Sequence, residues 1–173
     1  RPHALPLVDF LTMLRRDSVT RVEGTAVFLS SQVGTVPSAL LHNLKHNKVL
    51  HARNVFVTVR NHEVAHVPSD SRATAHDLGH DCWQVVLHFG FKDEPHVPNA
   101  LTLLSLKGEL PKASVMETSY FLSRDIIVAQ HGRGMALWRE KLFAQMYRNA
   151  SSAADFLHLP NRNVVELGSQ IVI

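Results

Sequence analysis

One long stretch without a charged residue, from Gly24 to Leu44, most constrains the fold of this chain. It contains no Asp, Glu, Lys or Arg, and it is long enough to raise the question of a transmembrane helix. Polar and helix-breaking residues at Ser30–Gln32, Gly34 and Pro37 divide it into an apolar strand, a turn and a helix that begins near Pro37. Because a continuous apolar run is typical of strands buried on both faces, the stretch predicts the centre of a covered β-sheet and not a membrane span.

Hydrophobic periodicity places further elements along the 173-residue chain. Apolar alternation predicts strands at Asn54–Arg60, Trp83–Phe91, Thr118–Ser123 and Val164–Ile173, the second as a hairpin with the chain before it and the last bulged at Gly168. Helical spacing with start and stop signals predicts helices at Val8–Leu14, Pro98–Leu106, Gly134–Arg148 and Ser152–Leu159. The pattern predicts an α/β fold, a single domain over residues 1–173 with a mixed β-sheet flanked by helices. Residues 1–20 form a lead-in helix and residues 21–173 the core.

Composition excludes several classes of function. The 18 Lys and Arg residues are scattered, so the net charge of +3 gives weak support to nucleic-acid binding, and no nucleic-acid partner is predicted. The single cysteine, Cys82, cannot form an intramolecular disulfide and is interpreted as a small buried hydrophobe. The opening residues lack the apolar segment of a secretory signal. The chain by itself is therefore interpreted as cytosolic.

One short motif matches an enzyme signature. The segment His62–His66 reads His-Glu-Val-Ala-His and fits the zinc-peptidase pattern, in which two histidines one helical turn apart hold the metal and the glutamate activates water. That chemistry needs a helix, whereas this match follows a predicted strand and runs into Pro68. No third ligand follows at the family's spacing. The sequence favours a loop here, and it predicts no enzyme, no catalytic residue, no metal site and no cofactor.

A basic block on the second predicted helix is the candidate binding site. It consists of His42, Lys45, His46 and Lys48. Two histidines four residues apart are too few to hold a metal, and the simpler interpretation is that these side chains cap or pack at a helix end. The functional alternative is contact with an anion or a protein partner. His76 and His80 repeat the four-residue spacing where a turn is expected, and they are interpreted as surface residues.

Several segments together resemble the C-terminal domain of the Kup family of bacterial potassium uptake proteins. The resemblance is carried by Gly24–Leu29, Pro37–His51, Thr118–Arg124, Met135–Phe143, Arg148–Ser152 and Val164–Gly168, in the family's order and over nearly the whole chain from about Val8. Two segments depart from the pattern. Asn61–His80 matches poorly and is rich in histidine, and Leu159–Asn163 differs in detail.

The resemblance implies a function for the parent protein, which would take up K⁺ with H⁺ across the bacterial inner membrane. The transmembrane domain then lies outside this chain, which would be a cytoplasmic regulatory or assembly domain. Ion-binding carboxylates belong to transmembrane helices in this family, so no residue here inherits a catalytic role. The expected partners are the transmembrane part of the same transporter and a second copy in a homodimer. The alternative is a free-standing small-ligand module that binds a nucleotide, and interaction is ranked above ligand sensing.

Overall fold

The computed structural model describes residues 6–16, 19–30, 32–112, 117–123 and 153–167. Their elements, in chain order, are α1 (Leu7–Arg16), β1 (Thr20–Ser30), α2 (Ser38–Asn47), β2 (Val49–His62), β3 (Ala73–Gly79), β4 (Cys82–Gly90), α3 (Val97–Leu106), β5 (Thr118–Ser123), α4 (Ala153–Phe156) and β6 (Val164–Leu167), with 3₁₀ turns at Ser69–Ser71 and Asn161–Asn163. The predicted α/β fold with a mixed sheet is confirmed. The predicted helix Gly134–Arg148 and the final strand beyond Leu167 lie outside the described residues.

The strands form one six-stranded sheet in the order β3-β4-β2-β1-β5-β6. The pairs β1–β2, β1–β5, β2–β4 and β5–β6 are parallel, and β3 pairs with β4 in antiparallel register. The β3–β4 hairpin confirms the predicted one. Its turn residues, His80 and Asp81, have φ of 56° and 59°, and positive φ at both central residues is the type I′ geometry that matches the twist of the flanking strands.

The charge-free stretch becomes β1 and α2, as predicted. From Thr25 to Ser30 every residue of β1 is buried, because β2 and β5 flank it within the sheet and helices cover both faces. None of the described helices is long and apolar enough to cross a bilayer.

Each face of the sheet carries its own hydrophobic core. We call the face covered by α3 and α4 the α3 face; it contributes alternate residues such as Val27, Val57 and Leu87. The opposite α2 face is covered by α1 and α2. Three phenylalanines stack across neighbouring strands on the α2 face, with ring centroids 5.6 Å apart for Phe28–Phe56 and 4.8 Å apart for Phe28–Phe121. Alternation along each strand therefore decides which helix layer a side chain contacts.

Candidate functional site

The basic block lies at the carboxyl end of α2, as the sequence predicts. The rings of His42 and His46 stack with centroids 5.8 Å apart and 18° between their planes. His42 is half-buried, whereas Lys45, His46 and Lys48 are exposed. Lys48 ends the helix with φ of 55°, and its N–H donates a hydrogen bond to the Leu44 carbonyl oxygen at 3.1 Å. The helix end thus exposes Lys45, His46 and Lys48, with the half-buried His42 stacked on His46.

A buried asparagine fixes this end of α2 to the sheet. Asn43 is 3% exposed, and its Nδ2 donates to the Val49 carbonyl oxygen at 3.2 Å. Asn47 in turn donates from Nδ2 to the Asn43 Oδ1 at 2.7 Å. The basic block therefore stands on a braced helix end, a feature that the sequence analysis missed because Asn43 has no apolar periodicity to mark it.

The charges of the basic block are not neutralised by the described part of the chain. The ion pairs found there join other residues, and none includes Lys45, His46 or Lys48. Positive side chains near a helix carboxyl end interact favourably with the helix dipole, by about 0.3–1 kcal/mol each when exposed. This interaction explains the block structurally and still leaves its positive charge open to an anionic partner.

The zinc-peptidase motif does not form a helix. His62 is the last residue of β2, and Glu63–Ala65 form a bend. His62 Nε2 lies 2.7 Å from His88 Nδ1, whereas His66 Nδ1 lies 2.7 Å from Asp93 Oδ1, so the two histidines of the motif face different partners. Across the residues that the structure describes, no three metal-ligating side chains come together. The loop prediction is confirmed here, and the peptidase alternative loses the helix that it requires.

Asp93 ties this loop to the end of β4. Its carboxylate is buried and accepts four hydrogen bonds, from the N–H groups of Val67 at 2.9 Å and Gly90 at 2.7 Å, from His66 at 2.7 Å and from Arg72 at 2.8 Å. Burial alone would raise the pKa of the Asp93 carboxyl, but these hydrogen bonds and the Arg72 charge hold it below its ordinary value. Nothing in the local sequence marks Asp93, whose donors come from segments up to 27 residues away.

The other histidines considered above and the single cysteine are either at least partly buried in the fold or exposed on its surface. Burial, with the nearby His62 and Arg60 charges, lowers the pKa of His88. Burial also raises the pKa of the Cys82 thiol to about 11, and Cys82 is 1% exposed, which confirms its interpretation as a buried hydrophobe. His76, in β3, and His80, in the hairpin turn, are exposed, as predicted.

The chain is similar to known proteins over nearly its whole length. A family model described as the K⁺ potassium transporter C-terminal domain matches residues 23–173. The chain is 58% identical over 173 residues to the probable potassium transport system protein Kup of Methylibium petroleiphilum and 60% identical over 173 residues to that of Verminephrobacter eiseniae. It is 48% identical over 171 residues to that of Janthinobacterium sp. (strain Marseille). No solved structure matches the chain significantly.

The matches cover nearly all of this chain but only part of each relative. The alignments cover 100%, 100% and 99% of this chain but 27%, 28% and 27% of the three relatives, so the chain spans little more than a quarter of their length. The family model begins in β1 and includes every described strand and α2, α3 and α4. The chain therefore belongs to the K⁺ potassium transporter C-terminal domain family.

Proposed function

We propose that this chain is the cytoplasmic regulatory or assembly domain of a potassium transporter that takes up K⁺ with H⁺ across the bacterial inner membrane. The observation that carries the proposal is the match of residues 23–173 to the C-terminal domain of potassium transporters, within relatives named as potassium transport proteins. The ion path belongs to the transmembrane part of the same protein, and the role of this domain is contact with that part or with a second copy of itself.

The basic block on α2 is the contact surface in this proposal. Lys45, His46 and Lys48 are exposed on a helix end that Asn43 braces, and their charges meet no described carboxylate. A braced helix end with exposed positive side chains suits an acidic protein surface better than a small ligand, because these side chains are accessible to a partner. Interaction therefore ranks above nucleotide sensing for these residues.

The test is potassium uptake by the full-length transporter. We would replace Lys45 and Lys48 by Glu together, and compare them with the matched pair Lys92→Glu and Lys107→Glu, which are exposed lysines away from α2. Rubidium uptake would be measured in a bacterial strain without other potassium uptake systems, at equal amounts of transporter in the membrane. We expect uptake to fall severalfold in the α2 pair and to stay near wild type in the control pair. Equal uptake in both pairs would remove the basic block from the mechanism.

The side of the membrane and the coupling to protons need separate measurements. A cysteine placed at the exposed Lys107 should react with a membrane-impermeant maleimide in permeabilised cells but not in intact cells. Uptake of K⁺ should be accompanied by loss of external protons. Labelling in intact cells would place the domain outside the cytoplasm, and uptake without proton movement would refute the symport.

Nucleotide sensing is the second candidate function. The order of strands reverses between β1 and β5, because the chain moves from β1 outward to β2 and returns through α3 to β5 on the other side. Open α/β sheets commonly bind ligands outside the carboxyl ends of the strands at such a reversal. Calorimetry of the chain against ATP, ADP and cyclic dinucleotides tests this candidate. Saturable heat would support it, and no heat at millimolar ligand would eliminate it.

A further inference from the structure

A cavity of about 90 Å³ separates α3 from the α3 face of the sheet. Short side chains line it on both sides, with Thr25, Val27 and Val55 on the strands and Pro98, Thr102 and Ser105 on the helix. The three helix positions recur at a spacing of three or four residues and so share one side of α3. The larger side chains of Leu101 and Tyr120 also line the cavity, and together with the short ones they leave a gap between the two layers that the core does not fill.

Two hydroxyl groups, those of Tyr120 and Thr25, line this cavity without a protein partner among the described residues. Tyr120 is 6% exposed and Thr25 is 5% exposed, and both side chains lie on the α3 face. In the described part of the chain, the structure gives neither hydroxyl a hydrogen bond. Tyrosine hydroxyls of largely buried side chains usually find a hydrogen-bond partner, and the cavity leaves room for one beside both hydroxyls. The pair therefore points to a polar group of something that enters the cavity.

A second, polar cavity of about 240 Å³ adjoins the first at Thr25, which lines both. Gly24 precedes Thr25 and also lines the polar cavity. It has φ of 101° at the bulge of β1, and a Cβ there would lie 2.5 Å from the Glu117 carbonyl oxygen. The close approach of β1 to Glu117 forms one wall of the polar cavity.

The charges around the polar cavity are balanced. Arg53 and Lys112 supply two cations, and Glu23 and Glu117 supply two carboxylates. Arg53 already donates through Nη1 to the Lys112 carbonyl oxygen. Within the described residues these four side chains form no ion pair with one another. Two carboxylates beside the cations disfavour a phosphate or another multiply charged anion, which would have to approach both.

We propose that the joined cavities bind a small, uncharged amphipathic molecule with an apolar body no larger than one ring and a polar group that accepts hydrogen bonds. The apolar body contacts Val27 and Val55, and the polar group accepts from the hydroxyls of Tyr120 and Thr25. A cavity of about 150 Å³ is known to hold benzene, so a ring would fill this smaller one and extend in part toward the adjoining polar cavity. The site does not depend on the proposed transport role.

The probe for this site is 4-fluorobenzamide, whose ring and neutral amide match the proposed class. Its binding to the chain would be followed by ¹⁹F line broadening and by saturation transfer during titration into the millimolar range. Tyr120→Phe and Thr25→Val each remove one hydroxyl and keep the shape. Thr58→Val is the matched control, because Thr58 is also buried, 3% exposed, but alternates onto the α2 face of β2. Because neither hydroxyl has a protein partner among the described residues, Tyr120→Phe and Thr25→Val should melt no lower than the wild type.

The proposal expects saturable binding to the wild type and to Thr58→Val. Tyr120→Phe should weaken binding by about fivefold or more, as expected for one hydrogen bond, and Thr25→Val in the same direction. No saturable binding to the wild type, or equal affinity in Tyr120→Phe and Thr25→Val, would overturn the site. Tighter binding of 4-fluorobenzyl phosphate than of the amide would overturn the assignment to an uncharged ligand. None of these outcomes bears on rubidium uptake, so the site and the transport role fail separately.

Discussion

Asp93 lies between β4 and α3 and holds the loop that joins β2 to β3, so replacing it by Ala should strongly destabilise the chain. The carboxylate accepts hydrogen bonds from the buried N–H groups of Val67 and Gly90 and from the side chains of His66 and Arg72. Alanine leaves all four donors without this acceptor. His66 and Arg72 are partly exposed, with 64% and 37% of their side chains accessible, so water can replace their bonds. The two backbone donors have no such replacement.

The magnitude follows from those two backbone donors. An unsatisfied buried donor costs about 1–3 kcal/mol, so the loss of both acceptor contacts in Asp93→Ala should lower the free energy of unfolding by about 2–6 kcal/mol. Asp93→Asn keeps one oxygen that can still accept from Val67 and Gly90, so it should cost about 1–3 kcal/mol. The matched control is Asp77→Ala, because Asp77 accepts from the Gly79 N–H at 2.7 Å in an exposed turn. It should cost less than about 1 kcal/mol.

Urea unfolding of the chain at several pH values provides the assay. The folded pKa of Asp93 is lower than its unfolded value, so its contribution to stability is complete above the unfolded pKa and is lost as the pH falls through the folded pKa. Below about pH 4 the wild type should therefore lose stability more steeply than Asp93→Asn. An Asp93→Ala variant within about 1 kcal/mol of the wild type, or identical acid profiles for wild type and Asp93→Asn, would refute the reasoning.

Two further changes test the bulge in β1 and the histidine pair at the ends of β2 and β4. Gly24→Ala should lower stability by at least about 2 kcal/mol, and by more than Gly108→Ala, because both positions have positive φ but only Gly24 lies against the Glu117 backbone; equal melting temperatures for the two variants would contradict this. The folded pKa of His88 is lowered, mainly by burial, so its neutral form contributes stability above the unfolded pKa of about 6.5 that is lost as the pH falls. His88→Gln should therefore flatten the stability profile between about pH 7 and pH 5, measured by urea midpoints, and an unchanged slope would refute the lowered pKa of His88.

The sequence predicted the centre of the fold better than its edges. The apolar run Gly24–Ser30 and the alternating Asn54–Arg60 lie in strands buried on both faces, where burial imposes a clear pattern. In the structure β2 extends to Val49–His62, because pairing with β1 and β4 and not local hydrophobicity sets its ends. The edge strand β3 is polar and mostly exposed, so its own sequence shows no hydrophobic alternation. Only the predicted hairpin with the following strand indicated it.

The candidate sites divide in the same way. The position of the basic block on α2 could be predicted, because residues at helical spacing on one helix are a local property of the sequence. The Asp93 cluster could not, since its four donors come from separate segments that only the fold brings together.

The cavity beside α3 could not be predicted from the sequence either, because a cavity is volume that no side chain fills. Thr25, Val27 and Val55 fit a buried strand, and Pro98 and Ser105 fit a helix, so each residue satisfies its own element. Only the packing of the two layers shows that these side chains leave space unfilled. A residue that is well suited to its strand or helix can therefore still belong to a binding site, and Tyr120 stands out only because its side chain lines the cavity without a hydrogen bond among the described residues.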